Sequence, residues 1–425
     1  MADRPTDNQT LSGETTEAPD VAALQAENAS LQDRLLRALA DAENVRRRAD
    51  RAAQDARNFA VADLSRELLT VVRCSLDVDF LDAVNGGTRT VTLPDGSTLA
   101  VATGFADTAK KETMTTRHLL LQGSVGKTYA SAVAMQLMHE GKIGLEDPIS
   151  KYLGDEPWFS RLPNAQSITV HQLMNHTSGL VRYEFNERFT ADLSAGGDRV
   201  WKPQELVAYI LDTAAPFAAG QGWDYSDTNY IVLGMIMEKV TGKSYYDLAR
   251  ERILQPAQLS ETVPSDARVI RGLANGYAGA NNPFGGSDAM LVDGRMVINP
   301  QFEWTGGGMA SSARDLAKWG KRLYDGAAFD PSMLPKLLDG VPSRLGQNVK
   351  YGLGVIIRET PSGTLYGHSG FFPGYQAEML YLPQQKAAIA FQVNSSVGGS
   401  MGRGMSPTRF AVEIAGIVAE ELSRR

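Results

Sequence analysis

The chain has 425 residues, of which 43% are hydrophobic and 21% charged, with a formal net charge of −7. That length and balance fit a globular protein of two or three domains with a large core, and the mild acidity gives no reason to expect a nucleic-acid partner. A single cysteine, Cys74, excludes an intrachain disulfide, and no apolar run reaches the ~18 residues of a membrane span, so no membrane partner is expected.

The opening stretch MADRPTDNQTLSGETTEAPD is polar and acidic, without the basic start and apolar core of a secretory signal. It predicts disorder over residues 1–20 and a cytoplasmic location. Residues 21–72 contain no Gly or Pro and are dense in Ala, Leu, Arg, Asp and Glu, which predicts one long helix. Leu24, Leu31, Leu35 and Leu39 form a partial apolar stripe, whereas ENVRRRADRAAQDARN is polar nearly all round. Such a helix buries little alone and pairs with a partner or stands in solvent. The stretch from Glu27 to Val72, ENASLQDRLLRALADAENVRRRADRAAQDARNFAVADLSRELLTVV, resembles the long-helix segment of GrpE-type co-chaperones. That resemblance implies helix pairing, with a homo-oligomer as one outcome, and a chaperone partner. A gene fusion accounts for the same segment, and the residues alone do not choose.

From about residue 75 the pattern changes to Gly- and Pro-punctuated sequence. TRTVTLPDGSTLAVATGFAD predicts two strands joined at Pro94-Asp95-Gly96. Residues 124–140 predict a helix with Ala130, Val133 and Leu137 on one face, followed by a long helical and loop region. Late in the chain YGLGVIIRET, GTLYGHSG, QAEMLYLP and KAAIAFQVN are strands with short connections, hence antiparallel. RFAVEIAGIVAEELSRR closes the chain as an amphipathic helix. The fold class expected over residues 73–425 is α+β: an antiparallel sheet flanked by helices, plus a mostly helical part, preceded by the long N-terminal helix.

HLLLQGSVGKTYASAV carries two chemistries. Gly126-Lys127-Thr128 fits the end of a phosphate loop, G-x-x-x-x-G-K-[ST], but the first glycine position is Leu121, so the backbone cannot wrap a phosphate. The other candidate is Ser124 with Lys127, one helical turn apart and on one face. A serine hydroxyl needs an adjacent base, and a lysine removed from water has its pKa lowered enough to serve. The Ser124 N–H at a helix start also points at a developing oxyanion.

Further motifs support this second chemistry. GWDYSDTNYIVLGMIMEKVTGKSY puts Tyr225 in a turn before an apolar helix, and LYGHSGFFPGYQAEMLYLP puts His368-Ser369-Gly370 on a strand. With SITVHQLMNHTSGL and GGGMASSARDLAKWG, these stretches resemble the serine β-lactamase and penicillin-binding-protein superfamily from about residue 76 onward. The likeness is to its class C-like branch, which includes family VIII carboxylesterases, D-aminopeptidases and D-Ala-D-Ala carboxypeptidases. The resemblance implies Ser124 as nucleophile, Lys127 as its partner in proton transfer and Tyr225 as the shuttle to the leaving group. It implies that the Phe371 N–H completes the oxyanion hole with Ser124, and that Gly370 lets substrate lie close to the strand. His368 stands where many relatives have a lysine, and Asp227 stands where the third motif position is normally an asparagine. Losing that cation and that amide favours neutral esters.

The expected activity is therefore hydrolysis of short-chain carboxylic esters through an acyl-enzyme on Ser124, with no cofactor and no metal. The alternatives are a D-amino-acid amidase or peptidase, a weak β-lactamase, or a GrpE-like interaction protein with a passenger domain. His171 and His176 lie in sequence without acidic companions and are not expected to bind zinc. Trp223, Phe302, Trp304, Phe371, Phe372 and Tyr375 are core or an apolar substrate pocket. Gly398-Gly399-Ser400-Met401-Gly402 satisfies G-x-S-x-G, but no histidine follows His368, so Ser400 lacks the triad that motif needs.

Overall fold

A computed structural model describes residues 86–279, 288–397 and 406–424, together with Glu43 and Arg46 to Arg48. The chain divides into two units, Met1–Glu67 and Leu68–Arg425. In the first, Glu43 and Arg46 to Arg48 are helical, and Glu43 pairs with Arg46 at 3.4 Å and Arg47 at 3.2 Å. The remainder of the expected 21–72 helix, the stretch 1–20, Cys74 and the G-x-S-x-G segment lie outside the described residues.

The first described elements of the second unit are the expected hairpin, β1 (Gly86–Thr92) and β2 (Thr98–Asp107), joined through Pro94-Asp95-Gly96, with β3 (Glu112–Thr113) beyond it. β4 (Leu120–Leu121), β5 (Thr262–Pro264), the ribbon β6 (Leu291–Val292) and β7 (Arg295–Met296), and β8 (Met309–Ser311) follow. The chain then lays down β9 (Val341–Pro342), β10 (Val349–Tyr351), β11 (Ile356–Thr360), β12 (Gly363–Phe372), β13 (Tyr375–Leu382) and β14 (Ala387–Val393). Nine strands form one sheet in the order β3-β2-β1-β14-β13-β12-β11-β10-β9, and every pairing is antiparallel. A second sheet, β4-β8-β5, was not expected, because two- and three-residue strands are too short to display alternation.

Helices α1 (Lys127–His139), α2 (Val170–Met174), α3 (Glu187–Ala195), α4 (Asp227–Thr241), α5 (Ala313–Tyr324) and α6 (Pro407–Ser423) accompany the sheets. α1 and α4 are apolar nearly all round because both are buried nearly all round. α5 is capped by Ser312, whose hydroxyl accepts the Asp315 N–H at 3.2 Å. It packs on the sheet with Gly320 against Met379 and Ala388. α6 starts at Pro407 behind its Ser406 cap and covers the opposite face, where Phe410 meets Phe391 at 5.2 Å between ring centroids. The face covered by α5 is the one on which His368, Gly370 and Phe372 alternate along β12.

Along that face β12 lies against the turn that carries Ser124. A Cβ on Gly370 would run into the Gln122 carbonyl and meet the Val125 side chain at 3.2 Å, so only glycine allows this approach. Gly370→Ala should cost about 1–3 kcal/mol of stability by overpacking. Gly416→Ala in α6, where the new methyl meets only the Ser362 hydroxyl at 3.1 Å, should leave stability unchanged or slightly raised. Thermal unfolding of the two variants checks the contrast.

Candidate active site

Ser124 sits in a 3-10 turn, Gly123–Gly126, which runs directly into α1. The α-helix proper starts at Lys127, three residues later than expected. Two glycines permit the turn. Gly123 has φ of 50°, and a Cβ there would come 2.5–2.7 Å from the Phe371 backbone. A Cβ on Gly126 would come 2.5 Å from the Gly307 carbonyl oxygen. The turn is thus wedged between β12 and the segment before β8, with the Phe371 backbone beside the residue preceding the nucleophile candidate.

Lys127 is wholly buried, and its Nζ reaches three oxygens: Ser124 Oγ at 3.0 Å, the Gly306 carbonyl at 2.6 Å, and Asp227 Oδ1 in a short contact. Asp227 opens α4, and its Oδ2 lies 2.7 Å from Arg182 Nη2. Burial alone would lower the lysine pKa, but the charge of Asp227 overrides it and holds the ammonium above its ordinary range. This corrects the expectation of a lysine pushed toward neutrality: the acid at position 227 turns burial into an ion pair. Asp227 itself is held below the usual carboxylate range, since Lys127 and Arg182 outweigh its burial. Asp227 lines the cavity, yet both its oxygens are engaged by protein cations.

Tyr225 lies in extended chain just before α4, its ring centroid 5.0 Å from Lys127 Nζ and 5.6 Å from the Arg182 guanidinium carbon. Its hydroxyl is buried and completes no hydrogen bond among the described residues. Burial raises its pKa, and the neighbouring Lys127 and Ser124 pull the other way. The three residues expected together are together.

His368 is buried on β12, with Nδ1 2.6 Å from the Ser369 carbonyl and Nε2 2.8 Å from the Tyr351 hydroxyl. A carbonyl only accepts, so Nδ1 carries the hydrogen and Nε2 receives the tyrosine O–H. Burial, with the nearby Lys127, takes the imidazole pKa down to about 3, so the ring is neutral. Where the family resemblance implies a lysine, the strand thus carries a neutral group.

Several contributors had no distinct signal in the sequence. His176, considered there only as a metal ligand, has φ of 64° and packs 4.2 Å from the Tyr225 ring. Its Nδ1 accepts the Ser226 N–H at 3.3 Å and Asn229 Nδ2 at 3.0 Å, so it holds the turn between Tyr225 and Asp227. Burial keeps it uncharged. Arg182, Glu184 and Glu303 also line the site, and a charge embedded in an apolar or glycine-rich run (GLVRYEF, QFEWTGGG) is the clue that marks them. His171 does meet an acid, Glu146 at 2.8 Å, brought in from 25 residues away.

The cavity above Ser124 holds about 710 Å³. Phe185, Phe189, Leu193, Phe302 and Phe372 supply apolar wall, and Phe371 stands 60% exposed at its lining. Of the other aromatics expected there, Trp304 is buried beneath the lining, Trp223 packs with Tyr351 and Ile356, and Tyr375 bonds the Ala274 carbonyl at 2.8 Å. A nucleophile candidate, a buried cation and a phenol gathered at one cavity are the parts that acyl transfer through a covalent intermediate uses.

Two family models match parts of the chain. The GrpE family model matches residues 5–110, mostly outside the described residues. Penicillin-binding protein 4* of Bacillus subtilis (strain 168) is 27% identical over 295 residues, 67% of this chain and 63% of that protein. A D-aminopeptidase of Brucella anthropi is 27% identical over 321 residues, 74% of this chain and 57% of that one. The chain thus spans about three fifths of the length of the curated relatives it matches. The crystal structure of D-amino acid amidase from Ochrobactrum anthropi SV3, complexed with L-phenylalanine amide, superposes with a TM-score of 0.71 at 26% identity, covering 84% of this chain and 100% of that one. The Beta-lactamase family model matches residues 79–412, and the chain belongs to that family of serine hydrolases.

Proposed function

We propose that the chain hydrolyses D-aminoacyl amides, and esters of the same acyl groups, through an acyl-enzyme on Ser124. The observation that carries this is the Ser124–Lys127–Tyr225–Asp227 cluster, opening on a cavity with an apolar wall and carboxyl groups. The similarity to a D-aminopeptidase and a D-amino acid amidase supports the acyl class. Simple short-chain esters are a second reading, favoured by the neutral His368: no cation on that strand attracts a substrate carboxylate.

The proton route follows from counting donors. An ammonium has three N–H bonds and no lone pair. Asp227 and the Gly306 carbonyl take two of them, so Ser124 Oγ accepts the third. The Ser124 hydrogen then turns to the Tyr225 oxygen. As Oγ attacks the acyl carbon, Tyr225 takes that proton and passes its own to the departing nitrogen or oxygen. The carbonyl oxygen, gaining charge, lies between the N–H groups of Ser124 and Phe371. Water then enters by the reverse relay, gives its proton through Tyr225 to Ser124 Oγ, and releases the acid. Lys127 remains a cation throughout and stabilises the charge passing along the relay.

Ser124→Ala should abolish both turnover and covalent labelling by a serine-directed phosphonate; labelling that persists elsewhere with full turnover refutes the assignment. Tyr225→Phe should lower kcat by about 10²–10⁴-fold with KM little changed, measured on one amide and one ester.

Asp227→Asn removes the charge that keeps Lys127 protonated, leaving burial free to lower its pKa. The fall of kcat/KM at alkaline pH should therefore move toward neutrality relative to the parent enzyme. A rise in activity as Lys127 loses its proton would show that the neutral amine is the base.

A further inference from the structure

The cavity contains a carboxyl group that the acyl-transfer relay does not use. Asp227 is spent on Lys127 and Arg182, and Glu184 lies between Arg182, whose Nε is 3.8 Å from its Oε2, and Asp227. Glu378, farther along the cavity, bonds the Thr408 hydroxyl. Glu303 lines the cavity and has no cation or donor on its buried Oε2 among the described residues. An unpartnered carboxyl oxygen shielded from water is costly and calls for a ligand.

The surrounding chain is built to hold it there. Asn299 caps the turn Pro300–Glu303 by accepting the Gln301 N–H at 3.2 Å. The next residue, Trp304, has φ of 38°, a strained value for a bulky side chain. Its indole is locked in place: a Cβ on Gly234 would lie 2.6 Å from it, and the Tyr245 ring is 6.0 Å away. Beyond the kink, Gly306 gives its carbonyl to Lys127, and Gly307 leaves the space that the Glu303 carboxyl occupies, 2.9 Å from where a Cβ would sit. One strained segment therefore fixes the lysine and the spare acid together. Beside the acid stands Phe302, an apolar surface for the rest of an acyl group.

We propose that Glu303 is the subsite for the substrate's free amine, pairing with the ammonium of an aminoacyl group while Phe302 and Phe189 hold its side chain. This rests on the aminoacyl reading above. Burial, only partly offset by Lys127, pushes the Glu303 carboxyl up to about 8. The empty site therefore holds mostly the acid form near neutrality, and the arriving ammonium draws it into the carboxylate with release of a proton.

The test compares D-phenylalanine methyl ester with methyl 3-phenylpropanoate, which is the same acyl group without its amine, in the parent enzyme and in Glu303→Gln. The parent should favour the amine-bearing ester. Glu303→Gln should lose about 10- to 100-fold in kcat/KM on it, the worth of a charge-assisted contact, while keeping the amine-free ester within threefold. No preference in the parent would sink the aminoacyl reading itself. A preference that survives in Glu303→Gln would spare that reading and overturn the role of Glu303. Equal loss on both esters would also overturn it, by marking a role in the chemistry or the fold. A measurement on the parent alone guards against a damaged variant: 2-phenylethylamine should inhibit at least tenfold more tightly than 2-phenylethanol, and equal inhibition counts against the proposal.

A raised carboxyl pKa weakens folding as pH climbs from its unfolded value near 4.5 toward 8. Glu303→Gln should accordingly gain Tm over the parent, increasingly from pH 5 to pH 8. An equal Tm difference at both values would mean that the carboxyl is not held protonated, and would remove the proton release.

Discussion

A fully buried lysine ammonium sets the terms for the rest of this site. It needs three acceptors, and they come from three distant parts of the chain: Ser124 on the turn before α1, Asp227 at the start of α4, and the Gly306 carbonyl before β8. A buried charge left short of partners costs several kcal/mol, so these segments cannot drift apart without exposing that cost. Arg182 stabilises the arrangement from outside by engaging the second oxygen of Asp227. The same pair of cations lies against the Tyr225 ring, so the phenol is held by charge as well as by packing.

Glycines make the convergence sterically possible. Gly123 and Gly370 bring β12 onto the nucleophile turn, and Gly126 and Gly307 bring in the segment that carries Glu303. At Gly123, Gly126 and Gly370 a methyl group would strike backbone, which cannot swing aside as a flexible side chain can, and at Gly307 it would strike the Glu303 carboxyl. The Phe371 backbone is thereby set directly beside the residue that precedes Ser124. The HTSGL stretch serves the same end from the other side: His176, neutral and acceptor-only at Nδ1, ties down the backbone between Tyr225 and Asp227.

The hairpin through Pro94-Asp95-Gly96, the four late strands and the closing helix were legible because turn residues and periodicity are local signals. Ser124, Lys127 and Tyr225 were legible through motif resemblance, and the structure brings them together. The direction of the Lys127 pKa was not legible. It depends on how close Asp227 comes, a distance set by the packing of α1 on α4 across 100 residues of sequence. Glu303 escaped notice for a related reason: a single acid among aromatics and glycines gains meaning only when its buried Oε2 finds no hydrogen-bond partner among the described residues. The β4-β8-β5 sheet was hidden by the shortness of its strands.

A permanently charged lysine also bears on which bond the site suits. If Lys127 keeps its proton, the relay has no strong base, and Tyr225 must hand over one proton as it receives another. That arrangement helps most when the leaving group is too basic to depart unprotonated, as an amine is and a phenolate is not. Expecting esters weighed the missing cation at His368 and the missing amide at Asp227, both of which concern binding. Proton supply concerns the chemical step, and in the proposed relay Asp227 acts in the opposite sense, because fixing the lysine leaves the phenol as the acid for the leaving group. A site tuned only for activated esters would gain nothing from that, whereas the proposed amidase would, and simple esters of the same acyl groups would then react through the same relay.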